Sequence, residues 1–185
     1  ICLFSMNIFK FIFLFSILTQ EAVGYTIFKD NFENPKKWQF ISDQVMGGMS
    51  TGKIEFFNEN NNLYARLTGN VSTENKGGFI QIRRKLEKSR VKGAKFIEIT
   101  AKGNNQNYFI HLRTSGTLLP WQYYQISFKV VNDFKIFKLP INEFKRSSVF
   151  LSKQINPENI TSVGVVAFGR DYSADIYIKE INFKN

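Results

Sequence analysis

Tyr108-Phe109-Ile110-His111-Leu112-Arg113 sets Tyr108, Ile110 and Leu112 against Phe109, His111 and Arg113. Side chains of an extended strand alternate between two faces, so this period of two marks a half-buried strand. The same alternation spreads outward in both directions. Upstream, Ile97, Ile99 and Ala101 alternate with Phe96, Glu98 and Thr100. Ile80 and Ile82 alternate with Phe79, Gln81 and Arg83, and Leu63, Ala65 and Leu67 with Tyr64, Arg66 and Thr68. Downstream, Tyr124, Ile126, Phe128 and Val130 alternate with Tyr123, Gln125, Ser127 and Lys129. Further strands are expected at 26–29, 38–42, 53–57, 134–139, 162–168 and 174–183. Asn60-Asn61-Asn62, Gly77-Gly78, Gly103-Asn104-Asn105 and Asn132-Asp133 supply turns between them. No segment of ten or more residues has a period of 3.6. Asn156-Pro157 reads only as the cap and first position of a single helical turn. About ten strands with one buried face predict an all-β fold, an antiparallel β-sandwich.

The chain before residue 25 reads differently. Met6 to Lys10 is a short, positively charged start, Phe11 to Leu18 an apolar run, and Ala22-Val23-Gly24 a small-x-small cleavage site. This pattern predicts a signal peptide over residues 1–24, with Ile1 to Ser5 as an upstream extension, and export to a periplasmic or secreted location. The apolar run is shorter than the ~20 residues of a membrane-spanning helix. Residues 25–185 then form one domain.

That domain has no cysteine, since Cys2 lies ahead of the leader, so disulfides, cysteine nucleophiles and thiolate metal sites are excluded from it. There is a single histidine, His111, and no G-x-S-x-G, P-loop or EF-hand pattern. Asp30, Glu33, Asp43, Glu98, Asp171 and Asp175 are the carboxylates from which a glycosidase pair would be drawn, and their spacing assigns no pair. The domain is therefore read as non-enzymatic and without a cofactor. Asp30, Glu33 and Asp175 are the oxygen donors a structural calcium could use. The net charge of +10 favours anionic partners, namely acidic glycans, phospholipid headgroups or acidic proteins. Export argues against nucleic acid.

The least regular stretch is Ser42-Asp43-Gln44-Val45-Met46-Gly47-Gly48-Met49-Ser50, four residues after Trp38. It resembles the signature of the CIA30 family, the complex I intermediate-associated protein 30 domain. Gly77-Gly78-Phe79, Tyr108 to Arg113, Trp121, Leu139-Pro140 with Phe144, and Val163-Gly164 follow in the family's order. The resemblance covers roughly residues 28–183. It implies a galactose-binding-domain-like jelly roll and a non-catalytic role in binding or assembly. Mitochondrial members of the family assist assembly of respiratory complex I, although the leader expected here is secretory rather than mitochondrial. A protein client, including respiratory subunits, is thus one expected partner and a glycan the other.

Two sets of residues follow as candidate sites. The motif loop offers Asp43, Met46, Gly47, Gly48 and Ser50. As a structural staple, Asp43 would accept backbone hydrogen bonds, the glycines would make the turn, and Met46 would plug the core. As a partner surface, the same loop would face outward. The second set comes from strand parity: Arg66, Gln81, Arg83, His111, Arg113, Tyr123 and Gln125 should face away from the core, with Trp121 opening the strand that carries Tyr123. Aromatic rings beside amides and guanidiniums suit a sugar, and arginines suit a carboxylate or sulfate.

Overall fold

The computed structural model describes residues 24–59 and 62–185. Apart from Gly24, the expected leader lies outside the described residues, as do Asn60 and Asn61 of the expected turn. Among the described residues twelve strands run in chain order: β1 (Thr26–Asp30), β2 (Trp38–Ser42), β3 (Thr51–Glu59), β4 (Asn62–Val71), β5 (Phe79–Lys85), β6 (Phe96–Gly103), β7 (Asn107–Thr114), β8 (Tyr124–Lys129), β9 (Lys135–Pro140), β10 (Lys145–Arg146), β11 (Ile160–Phe168) and β12 (Tyr172–Lys184). Helical structure is confined to single 3-10 turns among the described residues, none long or apolar enough to cross a membrane. One of them begins at Pro157, where the Asn156 side chain accepts from Glu158 N at 3.0 Å.

The strands form two six-stranded antiparallel sheets. The first runs β3-β4-β12-β6-β9, with β1 also paired to the end of β12; the second runs β10-β8-β7-β11-β5-β2. The inward set of each strand meets between the sheets: Ile97, Ile99 and Ala101 from β6 and Leu67 from β4 on one side, Ile80, Ile82, Ile110 and Leu112 on the other. These residues have essentially no exposure. Burying each large side chain contributes ~1.5–3 kcal/mol. Trp38 closes one end of the core against Phe32, with ring centroids 5.2 Å apart.

Parity succeeds wherever a strand is straight, and the exceptions lie at its ends and neighbours. Arg66 points away from the core, but β4 belongs to the first sheet. There Arg66 makes a two-pronged ion pair with Asp175 at 3.0 Å and lies over the Tyr177 ring, far from the company proposed for it. Trp121 does not open a strand: it sits in the loop before β8, as does Tyr123. Strand β10, two residues long, has no periodicity to read.

Candidate binding surfaces

The motif loop leaves β2 at Ser42, makes a 3-10 turn over Asp43–Met46, and is closed by Gly47 in the left-handed conformation (φ 86°). Asp43 is completely buried. Its Oδ1 accepts from Ser50 N at 2.9 Å; its Oδ2 accepts from Ser50 Oγ at 2.5 Å, Gly78 N at 2.5 Å and Phe79 N at 3.2 Å. The Ser50 hydroxyl in turn accepts from Ser72 N at 3.0 Å. One carboxylate thus ties the end of β2 to the starts of β3 and β5. Two glycines make room for it. A Cβ on Gly48 would lie 2.3 Å from Asp43 Cγ, and one on Gly77 2.4 Å from Oδ2. Burial works to raise the Asp43 pKa, but the donors from Ser50, Gly78 and Phe79 outweigh it and hold the carboxyl below its ordinary value.

Met46 does not plug the core. The turn points it outward, 58% exposed, beside Val45 at 73% and Met49 at 52%. The motif is therefore two-sided. Asp43 and Ser50 face inward and lock the loop, and its large apolar residues stand in water. Val45 and Met49 were not foreseen as surface residues, because an apolar residue in a loop gives no parity signal.

The outer face of the second sheet gathers most of the second set. Pairing places Gln39, Arg83, Gly164, His111 and Gln125 in one row across β2, β5, β11, β7 and β8. Gln81, Arg83, His111, Arg113 and Tyr123, with Pro120 and Ser162, line a small pocket of about 40 Å³. Outward does not mean exposed here. His111 is only 8% exposed, because the Tyr123 ring stacks on it at 4.1 Å and Phe109 and Phe168 meet it edge-on. Burial pushes its pKa down to about 4, with the nearby Gln125 amide acting weakly the other way. His111 Nε2 and Gln125 Oε1 nonetheless lack hydrogen-bond partners. Arg113 Nη2 donates to Thr117 O at 3.2 Å and Leu119 O at 2.9 Å, so it braces a loop as well as lining the pocket. Burial, and then the neighbouring charge of Arg83, lower its pKa. Phe168 and Ser162 were missed, although the inward set Val163, Val165 and Ala167 on β11 implied an outward one.

The six carboxylates named as glycosidase or calcium candidates all have structural partners. Asp30 accepts from Trp38 Nε1 at 2.9 Å and Phe32 N at 2.9 Å, and pairs with Arg84. Glu33 accepts from Asn31, Glu98 pairs with Lys184, Asp171 accepts from Thr73, and Asp175 holds Arg66. Among the described residues, no three His, Cys, Asp or Glu side chains converge on one point.

Solved carbohydrate-binding modules share this architecture. The family 11 module of a cellulosomal cellulase of Clostridium thermocellum superposes with a TM-score of 0.67 at 13% identity, covering 88% of this chain and 95% of that one. The Clostridium thermocellum family 11 module in complex with a β-1,3-1,4-mixed-linked tetrasaccharide gives 0.67 at 15% identity, covering 88% and 96%. A family 30 module gives 0.52 at 14% identity, covering 87% and 99%. At such identities the likeness is one of fold. No curated protein matches this sequence significantly. The model of the family described as complex I intermediate-associated protein 30 (CIA30) matches residues 27–176, a span running from β1 into β12 and including the Asp43 loop, so the chain belongs to the CIA30 family.

Proposed function

We propose that this protein is a non-enzymatic binding domain that assists assembly of a protein client, with the motif loop as its contact surface. The observation that carries this reading is the two-sided loop: Val45, Met46 and Met49 are held out by a turn that Asp43 and Ser50 lock from within. Flexible, polarisable methionines on a fixed backbone suit a partner surface that must adapt. The structural engagement of the six carboxylates supports a non-catalytic role. The family's description supports an intermediate of respiratory complex I as the client.

The test is recovery of partners from membranes by the full chain. The wild type should recover respiratory subunits, and a variant with Val45, Met46 and Met49 all changed to serine should not. Its melting should barely move, because exposed substitutions usually change stability by under ~0.5 kcal/mol each. Equal recovery by both proteins would remove the loop from the reading; recovery of no respiratory subunit would remove that client.

A second reading, glycan binding, has its own observation in the pocket of Gln81, Arg83, His111, Arg113 and Tyr123. Its volume of about 40 Å³ suits a carboxylate or sulfate rather than a sugar ring, which favours an acidic glycan draped over the face. Arg83 is the clean probe, since Arg113 also braces a loop. Arg83→Ala should weaken an acidic oligosaccharide by ~1.5–3 kcal/mol and make its binding less salt-sensitive. A neutral sugar would depend instead on Trp121 and Tyr123. Calorimetry with acidic and neutral oligosaccharides separates these cases, and heatless titrations with both classes would end the glycan reading.

A further inference from the structure

Two loops at the opposite end of the second sheet hold five large apolar side chains in water. The loop from β7 to β8 exposes Leu118 at 82%, together with Leu119 and Trp121; the loop after β10 exposes Val149 at 76% and Phe150 at 87%. The motif loop packs on the start of β5, whereas these loops lie beyond the end of β7, which runs parallel to β5 on the other side of β11. The two loops are joined side by side. Ser147 N donates to Tyr123 O at 2.9 Å, and Ser147 Oγ accepts from Tyr123 N at 3.0 Å and lies 2.8 Å from Trp121 O. Ser115 and Gly116 of the first loop and Phe150 and Leu151 of the second line one depression.

Many backbone groups of both loops are tied down from within. Gln122, only 7% exposed, accepts from Leu118 N at 2.8 Å and Leu119 N at 3.0 Å. Arg113 takes the carbonyls of Thr117 and Leu119, and Arg146 Nη1 those of Val149 and Leu151. Phe150 N donates to Ser148 Oγ at 3.3 Å. Each N–H or C=O paired inside the protein is one fewer to strand when a loop tip leaves bulk water for the headgroup region. The charge carried by the two loop segments themselves has one sign. No acidic residue lies between Glu98 and Asp133 or between Glu143 and Glu158, while Lys145 and Lys153 are exposed beside the second loop.

We infer that this end of the protein is a membrane-surface site that lays its apolar tips into the headgroup region of an anionic lipid bilayer. A bilayer needs no matching shape, so it accepts separate projecting side chains, whereas a protein partner would have to supply a fitted groove for each. Tryptophan suits the interface, and lysines flanking the tips supply the attraction to anionic headgroups. The inference does not depend on the client reading, since it concerns the opposite end of the domain.

The test uses the full chain and vesicles of phosphatidylcholine, with or without phosphatidylglycerol. Residues 1–23 contain an apolar run of their own, so the readout is Trp121 and the difference between variants rather than binding as such. The protein has two tryptophans, and Trp38 is buried, so a blue shift in emission on adding vesicles reports Trp121. The shift should appear with anionic vesicles and fade with salt. Leu118→Ser with Phe150→Ser should weaken partitioning by about tenfold or more, as expected for removing two buried apolar side chains, with melting unchanged. Lys145→Glu with Lys153→Glu should abolish the preference for phosphatidylglycerol. No blue shift, a shift equal for neutral and anionic vesicles, or unchanged partitioning by the serine variant would overturn the inference. So would a lipid-free shift that grows with protein concentration, which would assign the tips to a second copy of the chain.

Discussion

Asp43→Ala is expected to lower the free energy of unfolding by at least ~3 kcal/mol, the scale for stripping the acceptor from several buried donors. The substitution would leave Ser50 N, Gly78 N and Phe79 N facing a void, and would loosen the Ser50 hydroxyl that Ser72 N uses. Asp43→Asn keeps the shape but turns an NH2 group toward donors that need an acceptor, so it should restore only part of the loss. The glycines test the same seat by crowding. In Gly48→Ala the new methyl would meet the Asp43 carboxyl carbon at 2.3 Å, whereas in Gly47→Ala it meets nothing within 4 Å and suffers only the left-handed backbone. Gly47→Ala should therefore cost about 1–2 kcal/mol, and Gly48→Ala clearly more. Denaturant unfolding with an unchanged m-value measures all four variants. A midpoint shift for Asp43→Ala within the noise of a surface mutation would show that the carboxylate is not what holds the loop.

How much of this was legible follows from which forces act locally. The sandwich was readable because burial on one face imposes a period of two, and each of the eleven expected strands overlaps a strand of the fold. The row Arg83, His111 and Gln125 could be assembled on one face because parity is conserved along a straight strand. Parity carries no information about which sheet a strand joins, and this is why Arg66 was grouped with residues of the other sheet. It also cannot say whether an outward residue is covered. His111 is buried by Tyr123, which arrives from a loop, and by Phe168, from a strand distant in sequence. In the motif, the need for two glycines was readable but their division of labour was not. Gly47 supplies a positive φ, whereas Gly48 makes a close approach to a side chain five positions earlier. Leu118, Val149 and Phe150 gave no signal at all, because an apolar residue in a loop is exposed or buried according to contacts that only the assembled fold defines.

Stability is expected to fall by roughly 3 kcal/mol between pH 6.5 and about pH 4 on account of His111 alone, at ~1.36 kcal/mol for each unit of pKa displacement. In the unfolded chain His111 takes up a proton near its ordinary value of 6.5; in the fold, burial holds it neutral down to about 4. Between these values the unfolded state binds more protons, so acid favours unfolding. The stability is fully present above 6.5 and is lost progressively as the pH falls to about 4. Asp43, Asp171 and Glu180 act in the same direction over a lower pH range. Their folded values lie below ordinary values of 3.8, 3.8 and 4.5, so their contributions are lost only toward the acid end of this range and beneath it. His111→Phe keeps a ring against Tyr123 and removes the titration, so it should flatten the pH dependence above 4.5 while the wild type keeps its slope. Because His111 is the single histidine of the chain, its Hε1 ring proton gives one unambiguous NMR signal. That signal should titrate near pH 4 in the folded protein. A midpoint near 6.5, with parallel pH profiles for wild type and variant, would mean that water reaches the ring freely and that the Tyr123 stack does not seal this face.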